Sequence, residues 1–292
     1  MKIAVTGSNG LLGQHLVQEL LRKGYEVHAI SRGEDRIPLG GQSGYYYYNA
    51  DIRDGVRMKE LMDAIRPEVM IHCAAMTQVD ECELNKPDCY NSNVTATRFI
   101  IDALKPYHSK IIYLSTDFVF DGKSGPYKEE DPTNPVNYYG STKVQAEKAV
   151  QESGLPYAIV RTILVYGSTI PGTRKNIRSW IIENLKNRHP IKVVSDQIRN
   201  PTHVEDLAKG IVLIIEKHKE GIFHLGGPET MSPYDMAMKI AELGHFDKSL
   251  IQKVDASSFS QPAERPKVTG LDISKARKEL GYEPREFTME DY

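Results

Sequence analysis

The chain has 292 residues, 40% of them hydrophobic and 26% charged, an ordinary composition with enough length for one large core or two modest ones. A formal net charge of −2 argues against a nucleic-acid or membrane surface, and no apolar run approaches the ~18 residues that cross a bilayer. Three cysteines (Cys73, Cys82, Cys89) fit no zinc spacing and nine histidines form no metal-protease motif, so we expect no metal site and reduced thiols in a cytoplasmic protein.

Ile3 to Thr6 reads as a buried strand, so close to Met1 that no signal peptide is expected. Leu11 to Arg22 has helical periodicity and ends at Gly24; Glu26–Ile30 and Tyr45–Asn49 read as strands. Four consecutive tyrosines leave the facing of the third strand open. Asp54–Ile65 reads as a helix stopped by Pro67, Val69–His72 as a strand, and Asn91–Leu104 as one long helix. Strands at Lys110–Leu114 and Tyr157–Val160 flank a helix over Tyr138–Glu152. The alternation predicts an α/β fold: a Rossmann-type doubly wound parallel sheet with helices on both faces. Beyond Tyr166 the pattern is irregular. A loop over 167–175 is followed by helices at Ile177–Leu185, Asp206–Lys217, Ser232–Leu243 and Ser274–Leu280, and a strand at Ile222–Leu225. We expect residues 1–165 to form the dinucleotide-binding domain, segments around 190–217 to return to it, and 166–292 to build mainly a smaller substrate lobe.

Gly7-Ser8-Asn9-Gly10-Leu11-Leu12-Gly13 joins the first strand to the first helix. Glycines there let the backbone approach a pyrophosphate, and the helix start offers free N–H groups. After the second strand the chain reads Ser31-Arg32, with no carboxylate before Glu34. An acidic residue there would hold a ribose 2′-hydroxyl and an arginine a 2′-phosphate, so NADP(H) is the expected cofactor, with NAD(H) open. Asp51-Ile52 after the third strand could fix the adenine end, and the small Cys73-Ala74-Ala75 after the fourth could lie against the cofactor. Ser115-Thr116-Asp117 follows the fifth strand, where Thr116 could hydrogen-bond a substrate oxygen. Tyr139 and Lys143 stand four residues apart, on one helix face. A lysine cation beside a phenol favours the phenolate; moving a tyrosine pKa from 10 to near 7 takes about 4 kcal/mol.

In order, Gly7/Gly10/Gly13, Thr116 and Tyr139/Lys143, with 23 residues from Thr116 to Tyr139, resemble the extended short-chain dehydrogenase/reductase family. The resemblance implies a Rossmann fold with NAD(P), Tyr139 as general acid/base, and Lys143 lowering its pKa and binding the nicotinamide ribose. It also implies that Thr116 holds the substrate oxygen and that Asn93 supports the lysine.

Ser115-Thr116-Asp117-Phe118-Val119-Phe120-Asp121-Gly122, Asp196-Gln197, Pro201-Thr202 with Asp206-Leu207-Ala208, and Arg265-Pro266 with Leu271-Asp272 resemble the dTDP-4-dehydrorhamnose reductase branch. Related 4,6-dehydratases carry a Glu where Phe118 stands, for water elimination. Phenylalanine moves no proton, so plain ketone reduction is expected. The resemblance implies a nucleotide-sugar substrate, contacted by Thr116, Asp117, Asn176 after the sixth-strand loop, and Arg265, whose fork suits a diphosphate. Members of the family often form dimers, which leaves a homodimer open. The chain departs from the branch at Cys73 (often Asn), at Arg199 (commonly Gly) and in Arg161–Gly167, which lacks a usual Trp. Pro126–Asp131, Pro201–Val204 and Gly221–His224 also resemble the regulatory beta subunit of methionine adenosyltransferase, which binds NADP and acts through a partner enzyme. That subunit has Ser where Thr116 stands.

Overall fold

A computed structural model of the chain describes residues 1–170 and 172–289, so Pro171 of the expected loop and residues 290–292 of the expected second lobe lie outside the described residues. The first half runs β1 (Lys2–Thr6), α1 (Leu11–Arg22), β2 (Glu26–Ser31), β3 (Tyr45–Asn49), α2 (Gly55–Ile65), β4 (Val69–His72), α3 (Val79–Leu84), α4 (Lys86–Tyr90), α5 (Ala96–Leu104), β5 (Lys110–Thr116), α6 (Tyr138–Gln151) and β6 (Tyr157–Thr162). The second half runs β7 (Val165–Tyr166), α7 (Ile177–Lys186), β8 (Ile191–Val194), β9 (Thr202–His203), α8 (Val204–Glu216), β10 (Gly221–Leu225), α9 (Pro233–Leu243), β11 (Ile251–Val254) and α10 (Ser274–Leu280).

Seven strands form one sheet in the order β10-β6-β5-β4-β1-β2-β3, every pair parallel. Parallel strands covered on both faces must be apolar throughout, and Ile3–Thr6 and Val69–His72 are buried at every position. Leu16, Leu20, Leu207, Ile211 and Leu280 from α1, α8 and α10 cover one face; Met58, Met62, Ile100, Leu104 and Val150 from α2, α5 and α6 cover the other. The chain winds outward from β1 to β3, then restarts at β4 and winds the other way. The loops after β1 and β4 therefore diverge and open a crevice at the strands' carboxyl ends.

The tyrosine run forms the edge strand. Tyr45 and Tyr47 pack toward the α1 side, while Tyr48 packs on the opposite face and, with Tyr46, stacks on His28. One expectation needs correction. The helix expected over Asn91–Leu104 is preceded by two further short helices and begins with a π-helical turn at Asn91–Thr95. The reason is local: Asn93 turns inward and hydrogen-bonds the backbone of Met76, with Oδ1 accepting from Met76 N (2.8 Å) and Nδ2 donating to Met76 O (3.0 Å). Of the segments around 190–217, α8 packs on the first domain's core, through Leu207 and Ile211. β8 pairs with β11, and β9 with β7, outside the main sheet; α8 packs on α1, and β10 takes the sheet edge. The second lobe closes around Ile181, Leu185, Val193, Met236, Ile240 and Ile251. Among the described residues no helix is long and apolar enough to cross a membrane.

Candidate active site

The glycine loop is held by backbone contacts that no larger residue could keep. Gly7, at φ 71°, donates its N–H to Ile30 O (2.8 Å), and a Cβ there would lie 2.9 Å from Ala74 N. A Cβ on Gly13 would lie 2.2 Å from Gly7 O. Gly10 is the N-cap of α1 and no side chain caps that helix, so the first-turn N–H groups, including those of Leu11, Leu12 and Gly13, face no capping side chain. The Ser8 hydroxyl is buried without a hydrogen-bond partner among the described residues. An uncapped helix start beside an orphaned buried hydroxyl fits the diphosphate of a dinucleotide.

Asn9 is used as scaffold. Its amide donates to Arg32 O (3.2 Å) and Glu34 O (2.8 Å) and accepts from Arg36 N (3.0 Å), tying the loop after β2 to the glycine loop. Those bonds use the side chain that sequence reading assigned to the cofactor. Ser31 ends β2, and the Arg32 side chain beyond it is 73% exposed, its Nη1 3.9 Å from Asp51 Oδ2. Asp51 is bound more closely by Arg53 (2.7 Å), which holds its carboxyl below the usual range; Ile52 beside it is buried. Cys73, Ala74 and Ala75 are half-buried at the end of β4, with Ala74 N donating to Thr6 Oγ1 (3.3 Å).

Thr116 closes β5, and the turn Asp117–Val119 follows it. α6 starts against that turn: Asn137 caps it by accepting from Gly140 N (2.9 Å), and a Cβ on Gly140 would lie 2.1 Å from Phe118 O. Only glycine lets the helix approach so closely, and the approach buries Tyr139 beside Thr116 and against the edge of the Phe118 ring (centroids 5.8 Å). Lys143 lies one turn on, also buried; its Nζ donates to Leu114 O (2.6 Å) and sits 4.1 Å from the Tyr113 ring centroid.

The expected depression of the Tyr139 pKa is not what this arrangement gives. Burial raises the phenol well above its ordinary value, opposed chiefly by the neighbouring Thr116 hydroxyl. Burial also pulls Lys143 down to about 7, opposed first by Glu147. Desolvation dominates both groups, and the ammonium is turned to a backbone carbonyl and an aromatic face. The expected support of Lys143 by Asn93 also takes another form: Asn93 Nδ2 donates to Thr142 Oγ1 (3.0 Å), and Thr142 in turn donates to Tyr139 O (2.7 Å). Asn93 thus braces the turn carrying the tyrosine.

Asp117 is buried, accepting from Thr116 Oγ1 (3.1 Å) and Thr269 Oγ1 (2.6 Å) and pairing with Arg199 Nε (3.5 Å). Burial raises its carboxyl and Arg199 opposes this. Arg199 also covers the Phe118 ring. Asp117 is therefore committed to protein partners. So is Arg265, whose fork grips Asp80 (Nη1–Oδ1 2.7 Å, Nη2–Oδ2 2.5 Å) and joins the tail to α3. Asn176 caps α7, accepting from Ser179 N (3.2 Å) and donating to Gly167 O (2.8 Å), which leaves little of its amide for a ligand.

Sequence reading missed Ser8, Gly140, Asp80 and the buried pair Glu147–Arg161. Glu147 carried a usable signal, since it repeats the four-residue step from Tyr139 to Lys143. Asp80 carried none, because its partner is 185 residues away.

The RmlD substrate binding domain model matches residues 1–290. The chain is 31% identical to a dTDP-4-dehydrorhamnose reductase of Aggregatibacter actinomycetemcomitans over 98% of this chain and 95% of that one. It is 30% identical to methionine adenosyltransferase 2 subunit beta of Bos taurus over 94% of this chain and 81% of that one. A crystal structure of dTDP-4-dehydrorhamnose reductase from Bacillus anthracis in complex with NADP superposes with a TM-score of 0.84 at 30% identity, covering 95% of this chain and 92% of that one. Matched by the family model across nearly its whole length, and by relatives at 30–31% identity over both lobes, the chain belongs to the RmlD substrate binding domain family.

Proposed function

We propose that the chain is an NADPH-dependent reductase of a nucleotide-activated 4-keto sugar, dTDP-4-dehydrorhamnose. The observation that carries this reading is the shared placement of Thr116, Tyr139 and Lys143 at the carboxyl end of β5, with the Phe118 ring, which moves no proton, against the phenol. The relatives named as dTDP-4-dehydrorhamnose reductases support the substrate, and the NADP complex of one of them supports the cofactor.

The bound cofactor supplies a hydride for the C4 carbonyl carbon. Tyr139, whose raised pKa keeps the phenol protonated at neutral pH, gives its proton to the developing alkoxide, so one hydride and one proton make the alcohol. Thr116, beside the phenol, holds the substrate oxygen. Lys143, when protonated, stabilises the phenolate left behind and holds the nicotinamide ribose. Phe118 offers no base, so elimination lacks a partner for Tyr139. Leu11, Leu12, Gly13 and Ser8 take the diphosphate, and Ser31 and Arg32 take a 2′-phosphate, with Asp51 and Ile52 at the adenine. Cys73, Ala74 and Ala75 form the wall. Arg265 reaches a substrate diphosphate by exchanging Asp80 for it, an anion-for-anion swap that needs no new cation.

NADPH oxidation with a panel of 4-keto sugar nucleotides tests the reading, and turnover with dTDP-4-dehydrorhamnose is expected. The similarity to the methionine adenosyltransferase subunit favours a second reading, a regulatory NADP binder. Tight NADPH binding with no turnover on any member of the panel would select it.

A further inference from the structure

Behind the reactive side chains, and used by none of the steps above, lies a buried ion pair. Glu147 stands one turn beyond Lys143 on α6, and Arg161 lies on β6; both side chains are about 95% buried. Arg161 Nε donates to Glu147 Oε1 (3.0 Å) and Nη2 to Oε2 (2.8 Å), a two-pronged contact. Oε1 also accepts a short hydrogen bond from Ser115 Oγ. Ser115 and Arg161 are register partners across β5 and β6, so the carboxylate joins helix and two strands at one level. That level matters. Ser115 lies between Leu114, whose carbonyl accepts from Lys143 Nζ, and Thr116, which neighbours Tyr139. Arg161 is further fixed by the Phe120 ring beneath it and by Glu129 O.

Removing a pair like this for apolar residues is often neutral for stability, whereas breaking one partner away is costly. Stability alone is therefore a weak reason for its presence. We propose that Glu147, locked by Arg161 and Ser115, is a positioning residue for Lys143: it sets the height of α6 on β5 and supplies the buried counter-charge that keeps the ammonium protonated next to Tyr139.

The groups facing Lys143 bear this out. From β5 comes the Tyr113 ring, and from β4 comes neutral His72. Cys73 follows β4, Cys82 lies on α3 and Cys89 on α4. Burial pushes the Cys73 thiol up to about 12, so it brings no charge at neutral pH. Glu147 is the strongest of the charges that offset the desolvation of the lysine. Its own charge is shared with Arg161, which lies on β6 rather than on α6. Burial leaves Lys143 at about 7, where a modest change in counter-charge alters how much of it is charged at neutral pH.

The test reads Lys143 directly and needs no sugar substrate. It rests on the reductase reading only for its consequence in catalysis, so loss of that reading leaves the titration interpretable. Protein labelled with [13Cε]lysine is titrated by NMR, with Lys143→Met assigning the resonance. In Glu147→Gln, which keeps the shape and the Ser115 hydrogen bond, the Lys143 midpoint is expected to fall by about one unit. Glu147→Asp, which keeps the charge, is expected to restore most of it. Should the orphaned Arg161 unfold the single variant, Glu147→Gln/Arg161→Met removes both charges and is expected to fold with a midpoint still below the parent's. In the foldable variant, the alkaline limb of kcat is expected to move down with the midpoint. An unchanged Lys143 midpoint in folded variants lacking the carboxylate, whatever their Tm, would overturn the proposal and leave the pair a scaffold contact.

Discussion

Tyr139 and Lys143 are both pulled toward neutrality by burial, the phenol upward and the ammonium down to about 7. That suits a reduction, where the tyrosine must begin the cycle with a proton to give. Tyr139→Phe removes that proton while keeping the ring against Phe118. We expect kcat to fall about 10²–10⁴-fold, with NADPH affinity nearly unchanged by fluorescence titration. At the other end of the crevice, Arg32 has an exposed guanidinium with one long contact to Asp51. Arg32→Ala should raise the Kd for NADPH about tenfold or more and leave that for NADH nearly unchanged, as isothermal titration would show. Equal losses for both cofactors would mean that Arg32 does not read the 2′-phosphate. Arg32 was legible because it sits just past a strand end, and Tyr139 and Lys143 because their four-residue step puts them on one helix face. Asp117, Asn176 and Arg265 were legible as polar groups near the site. Their protein partners were not, since Thr269, Arg199, Gly167 and Asp80 meet them only through the tertiary fold.

Two short elements aim the site. The turn Asp117–Val119 and the first turn of α6 press together because Gly140 has no Cβ to meet Phe118 O. In Gly140→Ala the helix start must shift, carrying Tyr139 with it. A displacement near 1 Å can cost ~10²-fold in rate. We expect kcat to drop on that scale while NADPH still binds, since the α1 start is untouched; steady-state kinetics beside a binding titration checks both. The π-helical turn at Asn91–Thr95 is the second device, seating Asn93 between Met76 and Thr142. The sequence periodicity predicted a continuous helix there, because one inserted residue in a helical ladder barely alters a pattern of apolar spacing. By contrast α1, α2 and α6 were readable to within a residue or two, α1 and α2 from an apolar face over several turns and α6 from the step between Tyr139 and Lys143. The short α3 and α4 escaped because six and five residues are too few to show a period.

At the scale of the molecule, the parallel sheet was evident from alternating apolar runs and amphipathic segments, but the path of the second half was not. β8 and β10 are both short apolar runs, and only packing decides that β10 joins the sheet edge while β8 pairs with β11. The buried interior also sets the pH response. His72 (bound to Thr6 Oγ1 at 2.7 Å) and His224 are each depressed by burial to about 3. Above about 6.5 neither state carries the charge. Between 6.5 and 3 the unfolded chain takes up protons that the fold refuses, so stability falls as pH falls, by up to ~5 kcal/mol per histidine. Urea unfolding at pH 7 and pH 4.5 should show this loss, and His72→Asn should reduce it. A flat profile would mean that these sites are reached by water. The central claim, that this fold delivers hydride to a sugar ketone and a proton from Tyr139, is tested most directly by isotope transfer. With NADPH doubly deuterated at C4 and dTDP-4-dehydrorhamnose, NMR of the product should place one deuterium at sugar C4, and Tyr139→Phe should yield almost none. A wild-type protein that binds NADPH tightly yet leaves no deuterium in the sugar would contradict the account.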